Sequence, residues 1–190
     1  MRNPNLRNMI LAALFAALTA VVAQYRFFLP GVPNVPVTLQ VLVVFLAGGL
    51  LGPAWGAAAM GLYVLLGAIG LPVFAGGKAG FQVVLGPTGG YLISYPLAAA
   101  VIGLLAPAYG APRLWRTGLA MAAGLGVIYL GGGGWAVLVG GNALGAVVSG
   151  WVLPFVPMDL AKLALAAPLA TAVNRALVAQ GYWQVRRRAA

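Results

Sequence analysis

Cysteine and histidine are both absent from this 190-residue chain, and only one residue, Asp159, is acidic. Without cysteine there is no disulfide framework, no thiolate nucleophile and no Cys/His metal site. Without histidine the commonest acid–base group is missing, and one carboxylate cannot form an acid–base couple. Charge of either sign is scarce: 6% of residues are charged and 63% are hydrophobic, with a mean hydropathy of +1.00. A soluble domain carries about 25% charged residues. This chain has too few to cover a surface facing water, so a water-soluble globular protein is excluded.

Long apolar blocks fill the space that charge leaves empty. The length suits a single domain, residues 1–190, of about six membrane-spanning helices at about 20 residues each. Eleven Lys and Arg give a net charge of +10. They stand singly between apolar blocks or near the two ends, so they read as topology signals facing anionic lipid and not as a nucleic-acid surface.

Arg2 and Arg7 precede an apolar block, Met9 to Ala23, which reads as an uncleaved first helix rather than a signal peptide. A loop with Arg26, Pro30, Pro33 and Pro36 follows, where prolines favour extended backbone. Further helices are expected from about Thr38 to Leu51 and from Ala54 to Gly70, joined by a tight Gly52-Pro53 turn. Next come a glycine-rich loop from Leu71 to Gly80 and a helix from Gly89 to Ala106, kinked at Pro96 and ended by Pro107, Gly110 and Pro112. A fifth helix is expected from Thr117 to Leu130, and a last one from Pro157 to Gln180.

The stretch from Gly131 to Leu153 opens with four glycines and is apolar enough to span. The positive-inside rule decides against a span. With six helices, Arg2, Arg7, Arg113, Arg116 and Arg186-Arg187-Arg188 are all cytoplasmic, and Arg26 and Lys78 lie outside. The predicted fold is therefore an all-α integral membrane six-helix bundle in the plasma membrane. Both termini are cytoplasmic, and long outer loops join helices 1–2, 3–4 and 5–6, the last of them being residues 131–153, with a re-entrant form or a short surface helix left open.

Asp159 and Lys162 stand three residues apart on one face of the last helix. Ionisable groups inside spans are costly and face the bundle interior or a wet cavity. The pair reads as a polar anchor for a ligand or as an ion pair that fixes helix register. With Gln40, Lys78 and Tyr91, it lies on the side of the three long loops, which suggests a pocket beneath them. Gly76-Gly77-Lys78-Ala79 fails as a phosphate-binding loop: Pro72 and Ala79 stand where Gly and Ser/Thr are required. Nucleotide hydrolysis, a metal and a cofactor are not expected, and the chain reads as a non-enzyme. Ala12, Ala16 and Ala20, with Ala13 and Ala17 beside them, form a small-residue stripe suited to close helix approach, inside the bundle or against another membrane subunit.

Four segments in this order resemble the BioY family, the biotin-specific S components of energy-coupling factor transporters. They are Pro33-Asn34-Val35-Pro36-Val37-Thr38-Leu39-Gln40, Gly67 to Gly77, Leu85-Gly86-Pro87-Thr88-Gly89-Gly90-Tyr91-Leu92, and Pro154-Phe155-Val156-Pro157-Met158-Asp159-Leu160-Ala161-Lys162. The resemblance implies biotin held near the outer face, a transmembrane coupling subunit and two ATPase subunits as partners, and Ala12, Ala16 and Ala20 as the docking face. Asp159 would accept from the ureido N–H groups, and Lys162 or Gln40 would donate to its carbonyl. Lys78, or the backbone N–H groups of its glycine-rich loop, would meet the valerate, and Phe74, Phe81, Tyr91, Trp135 and Trp151 would cover the rings. The chain departs from the family pattern where Lys78-Ala79-Gly80 follow the paired glycines, and Leu92 stands after Gly-Gly-Tyr where some members have a basic residue. A self-sufficient carrier or channel for a small solute is the alternative from another class.

Overall fold

In hydrocarbon every backbone N–H and C=O must find a partner within the protein, which drives apolar segments into helices. The computed structural model describes residues 4–29, 32–106 and 113–180. Arg2, Pro30, the break at Pro107, Gly110 and Pro112, and Arg186-Arg187-Arg188 lie outside them. The first helix, α1, spans Pro4–Gln24, and Pro4 suits its first turn because an N–H there needs no helical partner. The strands β1 (Arg26–Leu29) and β2 (Val32–Thr38) follow. They pair antiparallel with Arg26 opposite Thr38 and Phe27 opposite Val37. The expected first outer loop is thus a short β-ribbon within an otherwise helical fold, a correction to the form of that loop. The extended backbone set by its prolines pairs with itself, and a two-stranded ribbon leaves free edges where a missing N–H is tolerated.

Helix α2, Gln40–Ala68, is broken at Gly52, whose φ of 77° and ψ of −175° are not helical. A Cβ placed on Gly56 would lie 3.0 Å from the Ala47 carbonyl oxygen and 3.1 Å from the Gly48 Cα. Nine residues of unbroken helix would separate residues 47 and 56 by about 13 Å, so the two arms, residues 40–51 and 53–68, fold back as a hairpin. This is the turn that Gly52-Pro53 predicts. Pro53 has no N–H for the carbonyl of Gly49, which accepts instead from Asn174 Nδ2 at 2.9 Å.

A short helix, α3 (Phe81–Leu85), leads into α4 (Gly89–Leu105), with Pro96 inside it. Helix α5 covers Leu114–Leu138 and runs straight through Gly131-Gly132-Gly133-Gly134. The expectation that the fifth helix ends at Leu130 and that 131–153 forms one long loop is therefore corrected. In lipid a glycine run is a packing face rather than a breaker. A Cβ on Gly90 would collide with Trp135 and the Gly131 carbonyl, and one on Gly132 would collide with the Tyr91 ring, so α4 and α5 touch nearly backbone to backbone. A turn at Val139–Gly140 ends α5. The short helix α6 (Leu144–Val147), a π-helical turn (Val148–Val152) and a 3-10 turn (Leu153–Phe155) then lead into α7, Val156–Ala179.

Counting the arms of α2 separately, six long helical segments form the bundle among the described residues. Four helices, including the whole of α2, are long and apolar enough to cross a membrane. Large apolar side chains such as Leu14, Leu97, Leu130 and Leu165 point outward, while the interior is rich in alanine, glycine and valine. That inversion suits lipid, where close contact between small residues drives association. α1 packs mainly on α2. Thr117 and Thr171 meet at 3.3 Å, which places the start of α5 and the second half of α7 toward one end of the bundle. The glycine-rich loop marks the other end, where Gly76 N donates to Ala23 O at the close of α1.

Candidate functional site

The glycine-rich loop reverses within one turn. Gly76 and Gly77 hold φ values of 70° and 74°, a region closed to most side chains. Phe74 N donates to Lys78 O at 3.0 Å, and Gly77 N donates to Phe74 O at 3.0 Å. This turn drops the Phe74 ring inward onto Gly67, which has no side chain to obstruct it. The ring meets Tyr63 edge-on at 5.7 Å. Lys78 stays exposed at the surface.

Beneath this loop lies a cavity of about 110 Å³, lined by residues from β2, α2, α4, α5, the π-helical turn and α7. All six candidate binding residues line it: Asp159, Lys162, Gln40, Lys78, Tyr91 and Phe74. Trp151 lines it too, whereas Phe81 and Trp135 do not. Phe81 is exposed, and Trp135 turns away to donate from Nε1 to Gly86 O at 3.0 Å. Both are corrections to the expected ring cover. The aromatic and apolar lining also includes Leu92, Tyr95, Ile128, Tyr129 and Phe155.

Asp159 and Lys162 are both buried and form an ion pair at 2.6 Å through Oδ1. The other carboxylate oxygen, Oδ2, accepts from the Tyr129 hydroxyl at 2.8 Å. Full pairing is what allows a charge to remain at this depth. A carboxylate has about four acceptor sites and an ammonium three donors, so both groups keep capacity toward the cavity. Across it, Gln40 Oε1 accepts from Thr38 Oγ1 at 2.8 Å and Gln40 Nε2 donates to the Tyr63 hydroxyl at 2.6 Å, which fixes the orientation of the amide. The Tyr91 hydroxyl donates to the Trp151 carbonyl at 2.6 Å and ties the π-helical turn to α4.

Tyr129, Thr38 and Tyr63 are the supporting residues that the sequence reading passed over. Tyr129 had a legible signal, as the only hydroxyl between Thr117 and the end of α5 in an otherwise apolar helix. Its partner Asp159 lies 30 residues further on, and nothing in the spacing links them.

The alanine stripe divides differently from the expectation. Ala12 and Ala16 are buried within the bundle, at 5% and 1% exposure, and Ala20 is half-buried. Their small size is used where α1 packs on α2. Among the small residues of α1, Ala13 and Ala17 face outward. Ala12 and Ala16 are therefore not free to dock another chain.

Fold and site together define a multi-pass membrane protein with a small-molecule cavity built into one end. A family model described as the BioY family matches residues 1–179, and the chain belongs to that family. A relative from Pyrococcus horikoshii named "Probable biotin transporter BioY" is 45% identical over 161 residues, covering 84% of this chain and 91% of the relative. The "Biotin transporter BioY" of Thermotoga maritima is 44% identical over 170 residues, covering 90% and 97%. Among solved structures, "the S-component for biotin from an ECF-type ABC transporter" is similar with a TM-score of 0.79 at 28% identity, covering 92% of this chain and 94% of that one.

Proposed function

We propose that this chain is the biotin-binding S component of an energy-coupling factor transporter in a prokaryotic plasma membrane, acting as one membrane-embedded binding domain over residues 1–190. The observation that carries the reading is the fully paired Asp159–Lys162 couple facing Gln40 across an otherwise aromatic and apolar cavity. A cyclic urea presents N–H donors beside a carbonyl acceptor. Asp159 accepts from the former, and Lys162 or Gln40 donates to the latter. Phe74 and Trp151 cover the apolar rings. The valerate reaches the rim, where the Lys78 ammonium has no protein partner among the described residues. Among the described residues, Lys78 is the cation on the cavity wall outside the Asp159–Lys162 pair.

The cavity opens on the outer side. Arg7, Arg113 and Arg116 lie toward the opposite end, and the positive-inside rule makes that end cytoplasmic. The chain binds and does not hydrolyse. Energy comes from two ATPase subunits through a transmembrane coupling subunit, which docks on the outward face of α1 that carries Ala13 and Ala17.

Equilibrium binding of labelled biotin to the purified chain, without nucleotide, tests the reading. Saturable binding with no competition from riboflavin or thiamine is expected. Absence of biotin binding, or equal binding of the other two vitamins, overturns it.

A further inference from the structure

Three tyrosines line the cavity, a fourth, Tyr63, stands behind Gln40, and three of the four have their hydroxyls engaged by the protein. Tyr63 accepts from Gln40, Tyr91 donates to the Trp151 carbonyl, and Tyr129 donates to Asp159. Tyr95 differs. It lines the cavity and is only 5% exposed, yet among the described residues its hydroxyl has no hydrogen-bond partner. Nor is that hydroxyl sealed in the protein. The one sealed side-chain polar atom left without a partner among the described residues is Asn174 Oδ1, at the far end of the bundle. The Tyr95 oxygen therefore opens into the cavity. A buried hydroxyl kept without a protein partner is costly unless something else satisfies it.

Helical geometry places Tyr95 relative to its neighbours. It stands four residues after Tyr91 on the same face of α4, one turn or about 6 Å further from the mouth. The unengaged polar side chains on the cavity wall thus fall at two levels: Lys78 and Thr88 near the start of α4, and Tyr95 deeper. The anionic end of a ligand belongs with Lys78. The inner level holds an acceptor-only carboxylate, which requires N–H from the ligand. A ligand group that offers two N–H donors around a carbonyl then needs further donors for its oxygen, which has two lone pairs. Lys162 supplies one.

We infer that the Tyr95 hydroxyl supplies the other and reads the carbonyl oxygen of the ligand's ureido group. The inference rests on the biotin reading above. It adds a specificity-determining contact on α4, opposite the acid and lysine of α7, so that the oxygen is recognised from two helices.

Tyr95→Phe removes one oxygen and keeps the ring. Affinities are to be measured for biotin and for the analogue with sulfur in place of the ureido oxygen, a weaker acceptor. The variant is expected to lose about 3- to 10-fold in biotin affinity and about 2-fold or less for the thio analogue. Equal losses for both ligands would make Tyr95 a packing residue, and unchanged biotin affinity would remove the contact; either result overturns the inference. Should the variant not fold, 3-fluorotyrosine at position 95 keeps the shape and makes a stronger donor. Tighter biotin binding by the fluorinated protein supports the inference, and unchanged or weaker binding overturns it. Failure of the unaltered chain to bind biotin at all would instead reject the underlying functional reading, so the two failures are distinct.

Discussion

The Tyr129 hydroxyl on α5 donates to Oδ2 of Asp159 on α7 across 2.8 Å, while Lys162 holds Oδ1 at 2.6 Å. The only acid of the chain is thus clamped from two helices before any ligand arrives. A group held this way loses little freedom on binding, which is the basis of preorganised recognition.

Asp159→Asn is expected to weaken biotin binding by about 1.5–3 kcal/mol, the scale of a charged hydrogen bond. Lys162→Ala should do similar damage. The double variant should cost less than the sum of the two, because the residues touch. Titration of the three proteins with labelled biotin measures this. If Asp159→Asn folds poorly but the surviving fraction binds normally, the pair serves the fold alone.

Lys78 sits exposed at the mouth, so its contribution is screened and small. Lys78→Gln should lower biotin affinity by roughly 0.5–1 kcal/mol, and the difference should shrink as salt is raised. Biotinamide, which lacks the carboxylate, should bind the variant and the unaltered protein alike. A salt-independent loss that extends to the amide would place the valerate elsewhere.

Two glycines only 44 positions apart in sequence should respond oppositely to the same methyl group. Gly90→Ala drives a Cβ into Trp135 and the Gly131 carbonyl, and overpacking of this kind costs about 1–3 kcal/mol. A Cβ on Gly134 meets nothing within 4 Å, so Gly134→Ala should be neutral or slightly stabilising, since alanine is the better helix former. Thermal unfolding in detergent compares them. Equal midpoints would argue against a close α4–α5 approach.

Ala16→Leu and Ala17→Leu separate internal packing from partner docking. Ala16 is buried against the bundle, so its variant should unfold at lower temperature. Ala17 faces outward, so its variant should fold and bind biotin normally but fail to co-purify with a coupling subunit. Normal co-purification of Ala17→Leu would move the docking face away from this side of α1.

Sidedness can be read cleanly because the chain has no native cysteine. A cysteine at Ala143, exposed in the turn after α5, should label from outside the cell. A cysteine at Arg116 should label only after the membrane is opened. The reverse pattern would invert the proposed topology.

Much was legible in the sequence because lipid leaves few choices. Scarce charge and long apolar blocks demand helices, Gly52-Pro53 demands a reversal, and a lone acid with a lysine three residues on demands an interior position. These are local or compositional constraints, and all six candidate residues do line one cavity. Three features depended on partners distant in sequence. Gly131 to Gly134 look like a break until α4 supplies the backbone that needs their missing side chains. The prolines of residues 30–36 suggest an open loop, whereas β1 gives β2 an edge to pair with. Ala12 and Ala16 look like a docking stripe, but the α2 hairpin covers them and leaves Ala13 and Ala17 outside. Small residues and extended backbone permit close approach without naming the neighbour, and which neighbour arrives is settled only when the helices pack.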